Sequence, residues 1–185
     1  MNYRNSLSFV LIATILTACA STTGPHSADT PLNQIPMYGY PDIEKSAALK
    51  QADEDFIRNI PKELGSRENA SKVVAQEAWA HFKRGDNTSA MRRFNQSWLL
   101  KSDYYEPYWG FCVLQLAQGK AADASMHCEK ALSLIDDAEK KPRLLSDTAR
   151  TYSSQGYAEK DTNKSSALFG KANALFAQAI NIDPS

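Results

Sequence analysis

The sequence predicts an all-α fold of stacked antiparallel helical hairpins, about three of them, preceded by one extra helix. Gly85 and Gly119 stand 34 residues apart, and the residues that travel with them keep the interval: Ala90 with Ala124, Phe94 with Cys128, Ser97 with Ala131, Leu100 with Leu134. A period of this length with two helical stretches per copy stacks into an array whose product is a binding surface. Apolar residues recur at helical spacing on both sides of each glycine, and no stretch alternates convincingly as a strand.

Taken from the start of the chain, Arg4 supplies a positive charge, residues 7–16 form a short apolar run, and Leu16-Thr17-Ala18-Cys19 places small residues where cleavage would occur. Residues 1–18 therefore read as a signal peptide, since a transmembrane helix needs about 20 apolar residues. The tetrapeptide resembles a bacterial lipobox. That resemblance implies cleavage before Cys19, acylation of its sulfur in the manner of palmitate, and a lipoprotein anchored by lipid. An ordinary secretory signal with a cysteine at its boundary is the competing reading. Ala20, in place of the aspartate that tends to signal inner-membrane retention, implies by the same resemblance the outer membrane, facing the periplasm.

Residues 19–41 contain Pro25, Pro31, Pro36 and Pro41 among Ser, Thr and Gly, and read as a flexible tether with no core of its own. Such a tether spans roughly 25 Å on average and about 70 Å when stretched. Residues 42–185 then form one helical domain. Asp42 is placed to cap a helix over 43–59, ended by Pro61 and Gly65. Ser66 caps the next helix, over 67–83, and Gly85-Asp86-Asn87 turns the chain into a helix over 88–100. Pro107 suits the first turn of a helix that runs to Gln118, and Gly119 turns it into 121–135. After the charged connection 136–141, Pro142 opens a helix to about Gln155. Residues 156–161 read as a loop, and a helix over 163–181 closes the chain.

The third copy is interrupted: Phe176 lies 20 residues past Gly156, whereas Phe94 lies 9 past Gly85, an insertion of 11. The pattern Ala-x3-Phe, complete at Ala90 to Phe94 and at Ala172 to Phe176, together with the closing Asp183-Pro184, resembles the tetratricopeptide repeat family over residues 66–185. The match is degenerate: Ala78, Cys112 and Ala149 hold the small position of the first helices, and the first two copies lack the terminal proline. Small residues at Ala78, Ala90, Cys112, Ala124 and Ala131 allow close helix approach, while Phe94, Phe176 and Tyr152 fill the seams between hairpins.

In that family the first helices of successive hairpins line a groove. Carried over by position, the resemblance implies a partner-binding groove made of Lys72, Trp79, Phe82 and Lys83 from the first, Trp109, Val113 and Leu116 from the second, and Arg143 and Arg150 from the third. Aromatic anchors and arginines suit an extended peptide or a partner helix. In the competing reading, Trp79 and Trp109 pack against the helix 43–59, which then fills the groove as an internal ligand. Leu168, Leu175 and Ile182 have no later helix to cover them, which raises homo-oligomerisation through the last helix.

Lysine and arginine balance aspartate and glutamate at 21 each, which excludes the basic footprint of a nucleic-acid binder. With Cys19 assigned to lipid, Cys112 and Cys128 remain, at similar heights on the two helices of one hairpin. They read as a disulfide in an oxidising compartment, with two buried free thiols as the competing arrangement. His26, His81 and His127 lie apart and accompany no metal-ligand cluster, phosphate loop or nucleophile elbow, so neither a metal, a cofactor nor an enzymatic activity is expected. The reading that results is a lipid-anchored protein–protein interaction module, an adaptor or assembly factor for another envelope protein. An immunity protein or inhibitor that binds an envelope-acting toxin is the alternative, and a peptidoglycan-associated module stacking sugars on Trp79 or Trp109 is a third.

Overall fold

The computed structural model describes residues 30–184, so the expected signal peptide over 1–18, Cys19 and the first part of the expected tether lie outside the described residues. Among those described, the chain forms seven α-helices and no strand. They are α1 (Ala47–Leu64), α2 (Arg67–Lys83), α3 (Asn87–Leu100), α4 (Tyr105–Ala117), α5 (Ala121–Leu134), α6 (Lys141–Ala158) and α7 (Thr162–Ile182). α2 packs along α3, α4 along α5 and α6 along α7, and each hairpin stacks on the next through α3 with α4 and α5 with α6. The all-α stacked-hairpin expectation holds.

Local chemistry sets most helix ends. The side chains of Ser66 and Asp86 accept the amide N–H groups of Asn69 and Ser89, satisfying donors that the first turns of α2 and α3 leave free. Gly85 and Gly119 take φ of 78° and 76°, the left-handed turn that ends a helix and that a side chain would strain. The junction of the first two hairpins is closed by Phe94, which is wholly buried and lies so near Gly110 that a Cβ there would overlap its ring. Cys112 and Cys128 form a disulfide across the second hairpin, with Cα atoms 5.2 Å apart, and belong to the same buried core as Phe94, Phe111 and Ala124.

Four expectations need correction. The tether does not run unstructured to residue 41: Leu32–Gln34 and Pro36–Gly39 form two 3-10 turns that lie on α3 as a strap, with Ile35, Pro36 and Gly39 buried. The buried Asn95 of α3 holds it, donating from Nδ2 to the carbonyls of Asn33 and Ile35 and accepting the Tyr38 N–H at Oδ1. Met37 and Tyr38 are left-handed at φ 54°, a conformation costing about 1–2 kcal/mol per residue, and the surrounding contacts hold it in place.

The first helix starts at Ala47 under a Ser46 cap, and Asp42 caps nothing there; it continues through Pro61 to Leu64 and stops at Gly65, φ 87°. It does not fill the groove either. Phe56, Ile60 and Leu64 pack against Ala70, Val74 and Leu100, so α1 covers the outer end of the first hairpin.

The 11-residue insertion is absorbed by helix, not by a loop over 156–161. α6 and α7 have 18 and 21 residues against 13 and 14 for α4 and α5. Gly156 accordingly sits inside α6, where its missing side chain admits the Phe169 ring. Finally, Leu168 and Leu175 are covered, packed with Phe176 against Ala149, Tyr152 and Ala172. Of the three residues expected to lie open, Ile182 alone does, at 50% exposure, joined by Ile180 at 61%.

Candidate functional site

The first helices of the hairpins, α2, α4 and α6, supply the face on which the sequence places a groove. Trp79 on α2 stands edge-on to Phe82, Phe94 and Trp109, with ring centroids 5.8, 5.0 and 5.2 Å away. Its indole N–H donates to the Glu106 carboxylate. Trp109 on α4 is 4% exposed and its N–H donates to Asp147 of α6 at 2.9 Å. These two indoles tie the three first helices together, and both pack edge-on within one cluster of rings. Phe82, Val113 and Leu116 are half-buried against the same core.

The charged members of the expected set stay on the surface. Lys72 pairs with Glu68 one turn earlier, Arg150 lies 3.6 Å from Asp147, and Arg143 lies over the Trp109 ring at 6.0 Å. Lys83 is exposed at the end of α2. The groove residues thus divide into an aromatic set that builds the scaffold and a basic set that faces solvent.

Where α2 meets the α3–α4 and α5–α6 connections, an open cavity of about 340 Å³ is lined by Glu68, Lys72 and Gln76, by Lys101, Asp103 and Tyr104, and by Leu134, Asp136, Asp137 and Lys140. Tyr105 belongs to its wall and Glu106 lies next to it, 4% exposed. A buried carboxylate is costly unless paired and hydrogen-bonded. Here Glu106 accepts from the Trp79 indole, lies 2.6 Å from the Lys140 ammonium and 3.2 Å from the Tyr105 hydroxyl. That hydroxyl also lies 3.3 Å from Asp137, so its single proton serves one of two carboxylates at a time.

The titration of these groups follows from the geometry. Burial, then the charges of Glu106 and Asp137, push the Tyr105 phenol well above its usual range, and burial with Glu106 does the same to Tyr104. Partial burial works against the charge on Lys140, yet its hydrogen bond and attraction to Glu106 prevail and raise its pKa. With these shifts Lys140 keeps its charge and both phenols keep their protons at neutral pH. Such a set holds and orients polar groups; neither phenol is poised to give up a proton.

The groove set that the sequence suggests does not include Tyr105, and Lys140 falls in the charged connection 136–141. Spacing carried a signal for Lys140, which sits one repeat period after Glu106. No group of three or more metal-ligating side chains occurs among the described residues. No described helix is long and apolar enough to cross a membrane. No family model, no curated protein and no solved structure matches the chain.

Proposed function

We propose that the chain is a non-enzymatic interaction module of the bacterial envelope, anchored by lipid on Cys19 to the outer membrane and facing the periplasm, where it recruits or stabilises another envelope protein. One observation carries the choice of surface: the buried Glu106, fully partnered by Trp79, Tyr105 and Lys140, holds a rigid polar floor beneath an open charged cavity. Pre-organised polar groups lower the ordering cost that a bound segment would otherwise incur. Lys72, Lys101 and Lys140 alternate there with Glu68, Asp103 and Asp136, which suits an extended polar segment or a helix end carrying both signs of charge.

The disulfide supports the compartment, since such bonds persist where the surroundings are oxidising. The lipobox-like tetrapeptide ending at Cys19 supports the anchor.

The test combines palmitate labelling with cross-linking in intact cells. Lipid incorporation is expected in the parental chain and lost in Cys19→Ala. A photo-cross-linking side chain at Lys72 or Tyr104 is expected to yield one discrete adduct, absent when the probe sits at Met126, which is exposed on α5. An unlipidated parental protein would overturn the anchor. Adducts at Met126 and none at Lys72 or Tyr104 would overturn the choice of surface.

A further inference from the structure

The repeat shows what a covered hairpin end looks like, and among the described residues the last one has no such cover. Aligned on Ala90, Ala124 and Ala172, the α7 residues Phe169, Asn173, Ala177 and Ile180 correspond to Ala121, Ser125, Glu129 and Leu132 of α5. α6 lies over that α5 face: Gln155 donates to the Ala121 carbonyl and the Tyr152 hydroxyl bonds Glu129, while Ser125 is 7% exposed. On α3 the corresponding Met91 is 1% exposed, and Trp98 donates to the Tyr108 hydroxyl of α4. No described residue covers the equivalent face of α7. Asn173 and Ala177 are exposed, Phe169 and Phe176 are half-buried with their inner sides against α6, Ile180 is 61% exposed, and Tyr157 beside Phe169 is 83% exposed.

We propose that this face is occupied by the same face of a second copy of the chain, with the two α7 helices antiparallel about a two-fold axis near Asn173. Ser166, Phe169, Asn173, Phe176 and Ile180 follow one another at intervals of three and four, the seam of a helix pair. The seam complements itself when reversed. Asn173 meets its own mate, whose amide can satisfy it; the outer edges of Phe169 and Phe176 meet; and the large Ile180 meets the small Ser166.

Charge distribution favours a second copy over a foreign partner. Charged residues make up 23% of the chain, yet α7 carries only Lys164 and Lys171 over 21 residues, and Lys171 lies on another side, over the Tyr152 ring at 5.1 Å. A face without charge gives no electrostatic steering toward a different protein and meets no like charge in its own image; homodimer interfaces are the more apolar kind. The opposite end of the stack is covered by α1, so the contact closes as a pair and does not propagate into a fibre. The pairing is independent of the groove and of the lipid.

Cysteine cross-linking of the full chain in intact cells tests it, with the parental chain alongside as background. Asn173→Cys is expected to give a disulfide-linked dimer on a non-reducing gel. Ser166→Cys and Ile180→Cys should each link poorly alone and link to one another when co-expressed. In sedimentation of the detergent-solubilised full chain, Ile180→Asp should weaken dimerisation about tenfold or more, with unchanged helical circular dichroism because the residue is exposed. A parental protein that stays monomeric at its highest soluble concentration would overturn the proposal. So would a link from Asn173→Cys to a different protein, or equal self-linking at Ser166→Cys.

Discussion

At the leading end of the stack, α1 lays Phe56, Ile60 and Leu64 over the first hairpin and the strap covers α3, leaving Leu100 at 2% exposure. At the trailing end, α7 holds Ile182 at the same repeat position with 50% exposure. The same residue class at the same helical position is core in one place and surface in the other. Repeat position alone does not bury a side chain; the neighbour that arrives does, and each hairpin depends on a neighbour to hide its apolar face.

The sharpest way to break the comparison is at the junction between the first two hairpins. Phe94→Ala removes a wholly buried ring and is expected to cost about 4 kcal/mol, read as a lower urea midpoint. Breaking the Cys112–Cys128 bond by the double serine variant is expected to cost about 3 kcal/mol in the chain-entropy account, measured the same way under non-reducing conditions. Asn95→Ala strips the strap of its three backbone contacts and should cost about 2 kcal/mol. Limited proteolysis should then cut within 31–45 while the hairpins stay intact.

The comparison itself is tested by one matched pair. Leu100→Ala should lose about 3 kcal/mol, whereas Ile182→Ala should lose less than about 1 kcal/mol. Equal losses would show that the trailing end is covered after all. The smallest effect is a pH dependence at His127, whose pKa is lowered by burial, against an opposing hydrogen bond to the Asp123 carbonyl. Below about pH 6.5 the unfolded chain takes up a proton that the native imidazole declines, so stability is full above that pH and falls as the pH drops. His127→Gln should flatten that decline in a series of thermal melts.

Much of this architecture was legible from residue types alone, and for local reasons. Gly85 and Gly119 announce turns because a left-handed backbone excludes most side chains; Ser66 and Asp86 announce helix starts because their oxygens reach the next turn's amide N–H groups. The 34-residue interval sets the order of the hairpins and places Cys112 opposite Cys128. Glycine alone misled at position 156, where it admits Phe169 inside a helix and makes no turn.

The candidate site was legible only in part. The repeat resemblance pointed to the face of the first helices, but Trp79 and Trp109 look alike in sequence whether they await a ligand or hold helices together. Their roles were decided by Glu106 and Asp147, from 27 and 38 residues away. The strap is the same case, since Asn95 reaches back 57 to 62 residues to hold a segment that by composition has no reason to order. The sequence by itself determined the helices and their pairing and set Cys112 near the height of Cys128, because turn geometry and periodicity act over a few residues. The tertiary structure decided which faces are covered, which tryptophans are scaffold and where the tether ends, because burial depends on side chains brought together from distant parts of the chain.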